Sequence, residues 1–127
     1  MLRLASRSLL ALLLFCVSIW AWADAVTDRA KSLLQRNDPV AAYKLLLPLE
    51  PQRAGDPEFD YLLGIAALDA GDAERAIFAL ERVLAVQPDN LQARAEIARA
   101  YMATGERAAA KRELEAVRAR EVPPQVR

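Results

Sequence analysis

The sequence predicts an all-α fold, a short α-solenoid of about three antiparallel helix-turn-helix repeats behind an N-terminal signal peptide. Three observations carry that prediction. After Ala23 the apolar residues fall repeatedly three and four apart, and no strand-like alternation bounded by turns occurs. Residues that tolerate a left-handed backbone, Asn37, Gly71 and Gly105, recur at a spacing of 34. Under the same shift the apolar positions superimpose: Ala42, Ala76 and Ala110; Leu46, Leu80 and Leu114; Leu63 and Ile97; Val83 and Val117.

The opening segment "MLRLASRSLLALLLFCVSIWAWADA" places Arg3 and Arg7 ahead of an uncharged run from Ser8 to Ala23 that closes on small residues at Ala21 and Ala23. That pattern is a secretory leader, with cleavage expected after Ala23 and a periplasmic mature chain of about 104 residues. An inner-membrane anchor is the alternative. Its uncharged run spans roughly 24 Å as helix, short of the ~30 Å hydrocarbon core, although Trp20 and Trp22 suit an interface. Acylation at Cys16 would need small residues before it, and the bulky Phe15 stands there.

Beyond the leader, residues 24–56 form a degenerate first repeat, 57–90 the second and 91–124 the third, with a truncated or uncapped tail at 125–127. In the second repeat Phe59, Leu62, Leu63, Ala66 and Ala67 make one apolar stripe, and Ala73, Ala76, Ile77, Leu80, Val83 and Leu84 make the next. Between them Gly71 takes the left-handed turn and Asp72 caps the following helix. Asp38 before Pro39 and Asp56 before Pro57 supply helix starts in the same way. The stretch "PLEPQRAGDP" is expected to be a looser linker.

Composition narrows the chemistry. Formal net charge is zero, which argues against a binder of nucleic acid. The chain has no histidine, and its single cysteine, Cys16, lies in the leader. Disulfides, thiolate catalysis, Cys/His metal sites and imidazole acid/base chemistry are therefore excluded from the mature chain, and no cofactor, metal or enzyme activity is expected. Asp56 and Asp60 are an i, i+4 carboxylate pair that carboxylate-based hydrolysis would need to place in one cleft; capping is the competing role for Asp56.

A 34-residue period with Leu63-Gly64, Gly71, Ala76, Leu80 and Pro88 resembles the tetratricopeptide repeat family. Asp60 stands where that family usually has a tryptophan and Ala67 where it has a tyrosine, which lowers the packed aromatic volume; the third copy keeps Tyr101 but has Ala98 for glycine, and its proline comes late, at Pro123 and Pro124. The resemblance implies a non-catalytic scaffold with a concave groove, lined mainly by the first helix of each repeat, that binds a protein or peptide. Carried onto this chain, the groove positions are Lys31, Leu34 and Gln35, then Tyr61, Ile65, Leu68 and Asp69, then Arg99 and Met102. Of these, Leu34, Leu68 and Met102 have the character of core residues.

Charge is uneven: residues 54–74 hold six acids and no base, whereas 107–127 hold six bases against three acids, so opposite ends of two copies could pair. An uncapped last hairpin is expected to leave Ile97, Tyr101 and Leu114 partly exposed and open to self-association. Leader, repeats and closing "VPPQVR" together are similar to the periplasmic N-terminal region of outer-membrane barrel proteins of the surface lipoprotein assembly modifier type. That resemblance implies a stand-alone or truncated module of such a protein, beside the broader expectation of a periplasmic adaptor in cell-envelope assembly.

Overall fold

The computed structural model describes residues 25–121. The expected leader with Cys16, the closing prolines and the tail at 125–127 lie outside the described residues. Helix α1 covers 25–35 and is followed by α2 (Pro39–Leu46), a 3-10 turn (Leu47–Leu49), α3 (Glu50–Arg53), α4 (Pro57–Asp69), α5 (Ala73–Val86), α6 (Leu91–Thr104) and α7 (Arg107–Glu121). No strand occurs among the described residues. Each long helix packs on its successor, α4 on α5, α5 on α6 and α6 on α7, and α2 packs on α4.

The same turn is built three times. Asn37, Gly71 and Gly105 have φ of 59°, 99° and 85°. At each, the left-handed residue's N–H donates three residues back and the next N–H donates five back: Asn37 to Leu34 and Asp38 to Leu33 at 3.0 and 2.9 Å, Gly71 to Leu68 and Asp72 to Ala67 at 3.1 and 2.8 Å, Gly105 to Met102 and Glu106 to Tyr101 at 3.2 and 2.7 Å. This paired closure satisfies carbonyls that a helix end otherwise leaves open. Caps repeat as well. Asp38 and Asp72 accept from the backbone N–H three residues on, at 3.1 and 3.0 Å, and Asp56 and Asn90 cap α4 and α6.

The stretch expected to be a loose linker is instead helical almost throughout. Pro48 and Pro51 lack the N–H that an α-helix would use, so the chain tightens to 3-10 geometry at Leu47–Leu49 and resumes as α3. It stops where Ala54 becomes extended and Gly55 takes φ of 98°.

Two apolar clusters lie in series along the repeats. Ala30, Ala42, Leu46, Phe59, Leu62 and Leu63 belong to the first; Ala76, Leu80, Val83, Ala93 and Ile97 belong to the second. Close helix crossing is set by small residues: a Cβ built on Gly64 would come 2.7 Å from Leu80 Cγ. Leu46 and Leu80 are fully buried because a following hairpin covers them, while their equivalent Leu114 is 50% exposed. Ile97, expected to share that exposure, is buried at 1% because α5 already covers it.

A polar network fills the place where the missing tryptophan would pack. Asp60 is fully buried; it accepts from Arg82 Nε and Nη2 at 3.0 and 2.6 Å and from the Gly55 N–H at 2.7 Å. Arg82 also reaches Glu50 at 3.0 Å, and Glu50 takes Arg75 at 3.0 Å, so α3, α4 and α5 are tied by one set of charges. Beside it the Arg53 guanidinium lies 5.2 Å from the Phe59 ring.

Candidate binding face

Helices α1, α4 and α6, the first of each hairpin, share one face, and side chains bridge them along it. Lys31 pairs with Glu58 between α1 and α4. Asp69 receives Arg99 at 2.6 Å between α4 and α6, and Arg99 also pairs with Glu96 one turn before it. The Asp69 hydrogen bond, followed by the Glu96 charge, raises the Arg99 pKa despite partial desolvation, so this cation stays charged. Tyr61 is half-buried on the same face. Burial raises its phenol pKa, the Glu96 carboxylate adds to that, and Arg99 opposes it.

Beside this triad of charges lies a cleft of about 340 Å³. Leu68 closes it from α4, Ala95, Ala98, Arg99, Met102 and Ala103 line it from α6, and Leu114 closes it from α7. Its walls are apolar and small, with the Arg99 guanidinium as its charged member. Such a site accepts one apolar side chain and offers a fixed charge beside it.

The groove positions expected from the sequence divide accordingly. Leu68, Arg99 and Met102 line the cleft, with Asp69 bonded to Arg99 at its edge. Ile65 is half-buried farther along α4, while Lys31 and the exposed Gln35 lie on α1. Leu34 and Leu68 are half-buried and pack on the two clusters, but Met102 is 55% exposed and is no core residue. No helix among the described residues covers its outer side. Glu96, Ala98 and Leu114 were not among the expected positions. Leu114 carries a signal in the repeat itself, being the equivalent of Leu46 and Leu80 in the last described hairpin.

The Asp56 and Asp60 carboxylates have separate partners. Asp56 binds Arg53 at 2.8 Å and caps α4, whereas Asp60 is used up by Arg82 and Gly55. Burial works to raise the Asp56 pKa, but the Arg53 hydrogen bond and the cap N–H groups outweigh it and leave it lowered. Among the described residues no group of three or more His, Cys, Asp or Glu is placed to hold a metal ion. No described helix is long and apolar enough to cross a membrane.

Comparison with known proteins agrees with this geometry over part of the chain. A search of curated proteins finds no match. Repeats of the matched family generally mediate protein–protein interaction. Residues 67–127 match the family model described as Tetratricopeptide repeat, and the fold is an all-α helical repeat of that kind.

Proposed function

We propose that this chain is a periplasmic, non-catalytic scaffold that holds a peptide segment of a partner protein on the face of α1, α4 and α6, in the service of cell-envelope assembly. The observation that carries the reading is the cleft: residues from two successive repeats and from both helices of the last described hairpin converge there on a small apolar site. An apolar side chain of the peptide enters between Leu68, Ala98 and Leu114. A carboxylate beside it competes with Asp69 and Glu96 for Arg99, and a cationic group competes with Arg99 for Asp69. Export rests on the leader pattern around Arg3, Arg7, Ala21 and Ala23.

A displayed peptide library panned on the chain tests this. Enriched peptides should share an apolar anchor and lose at least about tenfold in affinity on Ala103→Trp, which puts an indole into the cleft from an exposed position. Failure to enrich any peptide, or affinities indifferent to the indole, would count against the reading. The N-terminal residue of the exported protein tests cleavage after Ala23.

A further inference from the structure

Of the two charge runs expected to join two copies, the acidic one is mostly spent inside the fold. Of the six acids in residues 54–74, Asp56 binds Arg53, Glu58 binds Lys31, Asp60 binds Arg82, Asp69 binds Arg99, and Asp72 takes the Tyr43 hydroxyl at 2.6 Å while capping α5. Glu74 is left without an ion pair among the described residues. It stands in line with Phe78 and Glu81, at i, i+4 and i+7 of α5, so the three share one stripe. Phe78 is 58% exposed, and with Glu74, Glu81 and Glu106 it lines a cleft of about 300 Å³ that contains no basic residue.

Helix α7 carries the counterpart. Lys111, Leu114 and Arg118 stand at i, i+3 and i+7, and with Met102, Arg107, Ala110 and one acid, Glu115, they line a second cleft of about 300 Å³ in which cations outnumber anions three to one. Among the described residues Arg107 and Arg118 make no ion pair, and Lys111 has only an exposed 3.8 Å contact with Glu115. The two stripes match when their helices run antiparallel. Counting forward from Glu74 the steps to Phe78 and Glu81 are four and three; counting back from Arg118 the steps to Leu114 and Lys111 are also four and three. Both stripes are about 10 Å long on a straight helix.

We propose that a second copy of this chain docks here, α7 of one protomer lying antiparallel on α5 of the other, with Arg118 on Glu74, Leu114 on Phe78 and Lys111 on Glu81. The contact covers two of the large exposed apolar side chains and pairs Glu74, Glu81 and Arg118, which make no ion pair among the described residues, and Lys111, which makes only the exposed one to Glu115. Tyr101 is one of the walls of the acidic cleft. Burial, the Glu81 hydrogen bond and the charges of Glu81, Glu113 and Glu106 push the Tyr101 phenol up to about 12. Bringing cations to that cleft relieves the repulsion. This association goes beyond peptide binding and uses different charges, although Met102 and Leu114 border both clefts.

Sedimentation equilibrium on the full chain tests it with two charge reversals, Glu74→Lys with Glu81→Lys, and Lys111→Glu with Arg118→Glu. The parent should self-associate, less so at high salt. Each reversed variant alone should lose at least about a hundredfold in association while keeping its helicity, and an equimolar mixture of the two should regain it, because the reversed surfaces then complement each other. Phe78→Ser should weaken association without altering any charge. A parent that stays monomeric, reversed variants that associate as the parent does, as they would through the leader, or a mixture that fails to recover would each overturn the proposal. Loss of peptide binding in the library experiment with the oligomer intact would leave it standing.

Discussion

Truncating Asp60 tests whether the buried charge network replaces an aromatic core residue. Asp60→Ala removes the acceptor for the Gly55 N–H and two of the hydrogen bonds that hold Arg82. Gly55 is itself exposed, so its freed N–H can turn to water, and its loss costs about 1 kcal/mol, the low end for an unsatisfied donor. Arg82 loses less than a fully buried cation would, since its side chain is 30% exposed and Glu50 still holds it at 3.0 Å; about 1 kcal/mol is a fair allowance. The sum is about 2 kcal/mol, below what breaking a fully buried pair costs yet a large part of a small domain's stability. Urea unfolding followed by circular dichroism reads it directly. Asp60→Leu with Arg82→Met should recover most of the loss, because apolar packing replaces the pair without stranding a charge. An Asp60→Ala variant within about 0.5 kcal/mol of the parent would show that the network carries no stability.

Other outcomes follow from single contacts. Gly64→Ala should destabilise by about 1 kcal/mol, since overpacking against the buried Leu80 outweighs the gain in helix propensity; a stabilised variant would mean that the helices are not held at this crossing. Asp72 has its pKa lowered below 3.8, first by the Tyr43 hydroxyl and then by the Arg75 N–H, so its contribution is present above that value and lost as pH falls through the lowered one. Tyr43→Phe should therefore flatten the acid limb of the stability curve, and an unchanged limb would contradict the assignment. Tyr101 has the opposite sign: its folded pKa of about 12 gives stability that is complete below the ordinary phenol value of 10.0 and lost as pH rises through the folded value. In an absorbance titration a late ionising step should move to lower pH on Glu81→Gln.

Much of the fold is legible because it depends on neighbours in sequence. Asn37, Gly71 and Gly105 mark turns that need a positive φ, and Asp38, Asp56 and Asp72 sit where helix N–H groups lack partners. The network of Asp60 is not legible in that way. Its partners lie 22 residues away in Arg82 and, beyond it, at Glu50 on α3, and a carboxylate at a tryptophan position reads as a loss of volume until those partners meet. Pro48 and Pro51 mislead for a related reason: helix breakers in sequence, they are absorbed here, Pro48 by a short 3-10 turn and Pro51 in the first turn of α3, where no N–H is needed. On the shared face of α1, α4 and α6 the helix positions of Arg99, Asp69 and Met102 could be read from the repeat. That Arg99 and Asp69 spend their charges on each other, and that Met102 stands open beside Leu114, depends on how far α6 and α7 are covered, which periodicity does not encode.

The proposed seat for a partner's peptide is the cleft beside Arg99, on the face of α1, α4 and α6. Backbone amide shifts recorded by NMR while a library-selected peptide is titrated in test it most directly. The largest changes should fall at Leu68, Ala98, Arg99 and Met102, with Val40 on α2 and Val86 on α5, both exposed and outside the cleft, unmoved. Changes centred on Val40 and Val86, with the cleft amides still, would contradict it.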